Sequence, residues 1–347
     1  MNSLTHSRYK ITLHIHPFGK KPIDLKDLCE QITWQTSMDL GRAAMLECVL
    51  QKRADDAGFI IPPGSRLVFG VDGRQLFSGI IEEPELSKDG NGEMRYILRA
   101  VCHLQLLQGM ESIYRPEGMT ASDFFMSLYN KFRPRFDAAG VGFVVKEPSA
   151  ARLSDYYFRA YSLYSMISES MIQTHVDEAP ERRYMIRDNA GVIEWRELKA
   201  LQLPIVLGDN SFLTSYTYTN SIKQTFNAIK ALRDNEEIGM RDAWVLENTA
   251  TQARWWFRQL TWEADEAMTE EEIMDINRLK LRAKNRTTRS LRATGLGDFR
   301  IQAGTGVRIR LDRAKIDANH WAEEVTHVLT SDMHTMDLSF KLEGGEP

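Results

Sequence analysis

The sequence predicts a mainly β protein of the α+β class: two similar antiparallel β-barrels with an α+β segment inserted between them. Three observations carry this reading. Apolar and polar residues alternate over 9–105 and again from about 206 onward, which is strand periodicity. The middle, 110–205, changes to helical spacing. An eleven-residue pattern in the first β region recurs in the last.

The elements follow in order. YKITLHIH at 9–16 puts Tyr9, Ile11, Leu13 and Ile15 on one face and leaves His14 and His16 on the wetter one. ITWQ at 32–35 and AAMLECVL at 43–50 read as strands. PPGS at 62–65 is a turn by its Pro and Gly chemistry. RLVFGVD and GRQLFSGIIEE are strands joined by Asp72-Gly73, a strong hairpin signal. KDGNG at 88–92 is a second turn, and EMRYILRAVC returns as a strand.

In the middle, Thr120 precedes a helix with Phe124, Phe125, Leu128 and Phe132 on one face, which Pro134 ends or kinks. Residues 161–176 read as a second amphipathic helix, and RRYMIRDNAGVIEWREL as strand, Asn-Ala-Gly turn and strand. From 206, SYTYTN, FNAIKALRD, DAWVLEN and ARWWFRQLTW read as strands. Thr269 is a candidate N-cap with Glu272 three residues on, and 269–285 is an expected helix, acidic at its start and basic at its end. Strands complete the chain. The expected domains are 1–109, 110–205 and 206–347.

The repeat aligns FIIPPGSRLVF at 59–69 on FRIQAGTGVRI at 299–309, with Gly64 and Gly304 in the turn position. LFSGIIEEPEL then lines up with HWAEEVTHVLT, and GEMRYILRA with HTMDLSFKL. Two unrelated strand pairs can share so short a pattern, but four elements in the same order favour a duplication.

Composition narrows the function classes. The chain has 347 residues, 43% hydrophobic and 27% charged, with net charge −4. That charge is too small to argue for nucleic acid or membrane. The three cysteines, Cys29, Cys48 and Cys102, form no C-x-x-C pair, so neither a disulfide framework nor a structural zinc site is expected. The N-terminus has no apolar core for a signal peptide, and no window reaches membrane-span length. A soluble protein kept in a reducing compartment is the expectation.

The candidate chemistry lies mostly in HWAEEVTHVLTSDMHTMDLSF. It carries His320, His327 and His334 among Asp332 and Asp337. A turn centred on Ser331-Asp332 sets Leu329 opposite His334 and His327 opposite Met336. His327 and His334 then share an apolar face with Val325, Leu329, Met336, Leu338 and Phe340, while Asp337 points away. Two histidines fall short of a zinc set. The acidic run Glu263, Asp265, Glu266, Glu270, Glu271, Glu272 and Asp275 lacks calcium-loop spacing and reads as a solvated helix start. GLGDF at 295–299 reads as a turn between strands. Arg282, Lys284, Arg286, Arg289 and Arg292 read as a helix end followed by one strand face. Trp255, Trp256 and Trp262 form either core or a contact patch. No catalytic, cofactor-binding or metal residues are assigned.

NAIKAL, the helix running into SLRATGLGDFRIQAGTGVRIRL and the closing VTHVLTSDMHTMDLSF resemble the C-terminal region of XkdQ/YqbQ-type tail proteins. These are the baseplate hub proteins of phages, defective prophages and phage-tail-like bacteriocins (tailocins) with contractile tails. QITWQ and GSRLVFGVDGRQLFSGII are similar to the same family's first barrel, and H-T-M-x-L is the most specific match. Residues 242–262 depart from the pattern. The resemblance implies a non-enzymatic homotrimer with two tube-like barrels per chain. Such a trimer adapts a six-fold tail tube to a three-fold central spike and lines the channel. The middle segment would face the spike. The implied partners are a tube or tube-initiator protein, the spike, the tape-measure protein and baseplate wedge proteins. DNA would only pass through, and no membrane is involved. The implied location is the virion tail baseplate, assembled in the host cytoplasm. A peptidoglycan-degrading tail hydrolase and a surface-glycan binding module are the rivals. With only seven residues after Phe340, no appended catalytic domain is expected.

Overall fold

The computed structural model describes residues 8–39, 42–52, 61–88, 94–114, 116, 118–153, 158–177, 182–209, 211–235, 240–266 and 268–342. Most of the KDGNG turn, and Phe59 and Ile60 of the repeated motif, lie outside the described residues. The chain forms two compact units. One comprises Met1–Tyr216 and Ala293–Phe340; the other comprises Thr217–Arg292 and Lys341–Pro347.

The first β region contains β1 (Ile11–His16), β2 (Ile23–Asp24), β3 (Cys29–Ser37), β4 (Met45–Lys52), β5 (Arg66–Val71), β6 (Arg74–Lys88) and β7 (Met94–Cys102). Period-two patterning decides its faces. Ile11, Leu13 and Ile15 are buried while Thr12, His14 and His16 are not. Each buried aliphatic side chain contributes roughly 1.5–3 kcal/mol. The β5–β6 turn is Asp72-Gly73, with φ +52° and +80°. Positive φ at both central residues is what a tight hairpin requires.

In the middle come β8 (Glu111–Tyr114), β9 (Gly142–Val145), β10 (Phe158–Ser162), β11 (Tyr184–Asn189) and β12 (Val192–Glu197). The first long helix spans Ala121–Ala139. Thr120 caps it, its side chain accepting from Asp123 N at 3.2 Å. Of the end or kink expected at Pro134, the end is not observed: the helix continues to Ala139. Phe136, two residues beyond, is fully buried and holds the helix to its core, and Gly140 in the left-handed region supplies the end. The second helix, Leu163–Asp177, starts two residues later than expected because Tyr161 and Ser162 belong to β10.

The last region holds β13 (Gln202–Gly208), β14 (Leu213–Ser221), β15 (Ala228–Asn235), β16 (Met240–Glu247), β17 (Gln259–Glu263), β18 (Thr288–Leu296), β19 (Gly306–Leu311), β20 (Ile316–Thr330) and β21 (His334–Leu342). β15, β16 and β17 do not join the main sheet; they form a separate three-stranded one, ordered β16-β15-β17. The expected strand at 253–262 is split. Thr249–Trp255 is a helix capped by Asn248, and only Gln259–Glu263 is strand. The helix expected over 269–285 spans Glu270–Lys284, with the full capping box between Thr269 and Glu272.

The class is as the sequence predicts, mainly β with an α+β middle, but the expected closed barrels are open sheet. One 13-stranded sheet runs β14-β18-β21-β20-β3-β4-β7-β6-β5-β1-β2, with β13 and β19 branching at β20. The halves meet where β3 pairs antiparallel with β20. The sequence shows strands and turns but not which strand closes on which.

The repeat is real at backbone level. The order β3-β4-β7-β6-β5 matches β14-β18-β21-β20-β19, with the same succession along the chain. Gly64 and Gly304 have φ +83° and +81°. Gly64 N donates to Ile81 O and Gly304 N to Ala322 O, both at 2.8 Å. Ile81 N and Ala322 N return bonds to Ser65 O and Thr305 O at 2.9 and 3.0 Å. A register shift follows at the same place in both, skipping Glu82 in β6 and Glu323 in β20. Ile81 therefore corresponds to Ala322, three residues from the sequence alignment. Ala100 corresponds to Phe340, two residues from it. The repeat fails at one edge: β1 runs antiparallel to β5, while β13 runs parallel to β19.

The two glycines are not equally replaceable. A Cβ on Gly64 meets nothing within 4 Å, whereas one on Gly304 would lie 2.0 Å from Met185 Sδ. Gly64→Ala is expected to cost about 1–2 kcal/mol for left-handed backbone. Gly304→Ala adds about 1–3 kcal/mol of overpacking. Urea melts of the two variants check this, and equal losses would refute the clash.

Candidate functional site

The closing hairpin, β20 with β21, has the register read from the sequence: His327 opposite Met336 and Leu329 opposite His334. Val325, Leu329, Met336, Leu338 and Phe340 are buried on the shared face, and Asp337 is exposed on the other. Asp337 Oδ1 accepts from Thr294 Oγ1 at 2.6 Å. His320 is buried too, on the earlier part of β20 opposite Val307.

His327 and His334 form a directed hydrogen-bond chain. His327 Nε2 lies 2.8 Å from Ile301 O, which can only accept, so this nitrogen carries the hydrogen. His327 Nδ1 is then the acceptor of the neutral ring, and His334 Nε2 donates to it at 3.0 Å. His334 Nδ1 and Gly297 O each lie 3.4 Å from the Tyr9 hydroxyl. The rings are stacked as well as bonded. His327 lies 5.4 Å from Trp34 at 22°, and His334 lies 3.9 Å from Phe299 at 22°. Burial pushes the His327 pKa down to about 4, although Ile301 O and Asp298 both favour the charged ring. His327 is thus a buried neutral ring with both nitrogens hydrogen-bonded, at the centre of a seam of stacked rings. Tyr9 and Trp34 come from the first half, Phe299, His327 and His334 from the second.

The other sequence candidates have separate fates. Glu270, Glu271 and Glu272 form the first turn of their helix, with Arg282 and Lys284 in its last. Arg289 Nε donates to Tyr218 Oη at 3.1 Å. The tryptophans do not make one patch. Trp255 is buried, Trp256 is 84% exposed, and Trp262 lies half-buried with its Nε1 donating to Asn277 Oδ1 at 2.8 Å. Among the described residues no group of three or more His, Cys, Asp or Glu is placed to hold a metal ion.

Two buried polar clusters escaped the sequence reading. His103 Nδ1 lies 2.7 Å from Asp188 Oδ2, which also accepts His103 N at 2.8 Å, while Asp188 Oδ1 accepts Gly191 N at 2.6 Å. The signal was the Asp-Asn-Ala-Gly turn, whose Ala190 and Gly191 take φ +54° and +105°. Burial pushes the thiol of the neighbouring Cys102 up to about 12, which disfavours its thiolate. Glu194 lies among Arg187, Asn189 and Arg196. Burial works against its charge, yet these hydrogen bonds hold its carboxyl below the ordinary range. Both clusters satisfy buried polar groups and orient turns and strands.

What the geometry offers is a duplicated strand framework sealed by aromatic and imidazole rings. The sequence pattern of the YQBQ-like family matches residues 32–341. The chain belongs to this family. YqbQ of Bacillus subtilis (strain 168) is 21% identical over 296 residues, covering 84% of this chain and 85% of that protein. The phage-like element PBSX protein XkdQ of the same organism is 21% identical over 303 residues, with the same coverage. The fold is shared with solved phage tail proteins. The 43 kDa tail protein of prophage MuSo2 from Shewanella oneidensis superposes with TM-score 0.69 at 10% identity, over 95% of this chain and 97% of that one. A tail protein from Neisseria meningitidis MC58 gives 0.64 at 13%, over 96% and 97%. The family match thus spans most of both halves and takes in Trp34, Phe299, His327 and His334 of the seam, but not Tyr9 or β1.

Proposed function

We propose that this chain is a structural baseplate hub of a contractile phage tail or phage-tail-like particle. Family membership and the tail-protein fold support a tail component. The observation that carries the finer reading is the duplication of β3–β7 as β14 and β18–β21. Two equivalent half-domains per chain let three chains present six similar units to a six-fold tube while keeping a three-fold face for a spike. In this reading residues 1–109 and 206–347 are the tube-like parts, and 110–205 faces the spike. The partners are the tube or tube-initiator protein, the spike, the tape-measure protein and baseplate wedge proteins. The chain is non-enzymatic and lines a channel in the virion tail after assembly in the host cytoplasm.

The test is native mass, alone and with the tube and spike proteins encoded beside it. A trimer, at least with partners present, is the expected result. A chain that stays monomeric in every combination overturns the hub reading. Clearing of a peptidoglycan zymogram by the purified chain would overturn its non-enzymatic part.

A further inference from the structure

Among the described strands the two halves share one ladder, β20 with β3, and the repeat leaves the parts of a second such ladder unpaired. β20 is long because it serves two neighbours on one side. Its first part pairs with β19 and its second, Glu324–Thr330, with β3. β6 is equally long, 15 residues, and its first part likewise pairs with β5. Its second part, Glu83–Lys88, pairs with β7 alone among the described strands. The equivalent of β3 is β14, which among the described strands pairs with β18 alone and stands at the end of the sheet.

Burial shows what the missing neighbour does. Val325 and His327 are 0% and 1% exposed. Their equivalents are Pro84 and Leu86, and Leu86 is 48% exposed. Cys29, Ile32 and Trp34 are buried on β3, whereas no residue of β14 is. A long strand with an open edge is a template for another strand.

We propose that the Glu83–Lys88 edge of one copy pairs antiparallel with the Leu213–Ser221 edge of a second copy, repeating the intrachain joint, and that Pro84 keeps this pairing weak. The proposal rests on the hub reading, and it names the contact between subunits. Pro84 sits where Val325 sits. Met38 N donates to Glu323 O at 2.7 Å, which sets the phase of the β3–β20 ladder and turns the Val325 N–H toward β3. At Pro84 that edge-facing donor is absent. Glu83 and Glu85 add negative charge there, partly neutralised by Arg99 at 3.6 and 3.0 Å. Proline and charge on an edge are the usual guards against unscheduled pairing. The joint therefore forms when copies are held together, not on every collision.

The register can be carried over. Val328 faces Thr33 within the chain. Ser87 is the equivalent of Val328. Counting through Gly297 N to His334 O and Leu296 N to Phe212 O places Tyr216 where Thr33 stands. Chains carrying Ser87→Cys are mixed with chains carrying Tyr216→Cys under the conditions in which the protein is oligomeric, then mildly oxidised. A covalent dimer in the mixture, and in neither variant alone, is expected; the three native cysteines are buried. Pro84→Val is expected to tighten self-association about fivefold, one backbone bond's worth, by native mass on dilution. An oligomer that gives no mixed dimer overturns the joint and leaves the hub reading standing. No oligomer in any combination overturns both. A mixed dimer with Pro84→Val unchanged removes Pro84 from the proposal.

Discussion

Replacing Trp34 with alanine is expected to lower stability by about 3–5 kcal/mol, and replacing it with phenylalanine by less than about 1.5 kcal/mol. Trp34 is 2% exposed and sits on β3, opposite His327 on β20. Its ring meets His327 at 5.4 Å and both Phe69 and Phe299 at 6.4 Å. Alanine removes the surface on which both halves pack, and the surrounding strands cannot collapse into the space without breaking their ladders. Phenylalanine keeps most of that surface. It also removes an indole N–H that is buried without a hydrogen-bond partner among the described residues. Urea melts followed by circular dichroism separate the two outcomes. A phenylalanine variant as damaged as the alanine one would show that ring area at the seam is not what holds the halves together.

Part of this seam was legible in the sequence. The hairpin register followed from strict alternation about Ser331-Asp332, because a one-residue slip would have turned His327 and Leu329 to solvent. Gly64 and Gly304 were legible because a turn with positive φ selects glycine. Tyr9 and Phe299 were not seen as partners of the histidines, since Tyr9 lies 325 residues from His334 and strand alternation carries no long-range pairing. The register shifts at Glu82 and Glu323 leave no mark in composition, so the aligned repeat was displaced by three residues at β20. Barrel closure is not legible either, because alternation does not say which strand pairs with which. The split at Trp255 was missed because Trp and Phe favour strands, while the Asn248 cap fixed the turn before them as helix.

Acidification is expected to weaken the fold between about pH 6.5 and 4, and the seam is the reason. Above pH 6.5 His327 is neutral whether the chain is folded or not, so it makes stability neither rise nor fall. Below that, the unfolded chain binds a proton that the buried ring refuses until about pH 4. Stability then falls by about 1.4 kcal/mol per pH unit, on the order of 3 kcal/mol in all, and levels off once the folded ring titrates. Asp298, with Arg300 bound to it at 2.6 Å, is the acidic group that favours a charged His327, and it is outweighed by burial. His327→Leu isolates the effect. It is less stable at neutral pH, because Ile301 O and His334 Nε2 lose their partner, at roughly 1–3 kcal/mol for each buried group left unmade. Its stability should nevertheless fall less steeply from pH 6.5 to 4 than that of the native chain. Urea melts of both proteins across that window give the two slopes. Parallel slopes would mean that acid acts elsewhere and that the His327 ring accepts a proton without disturbing the seam.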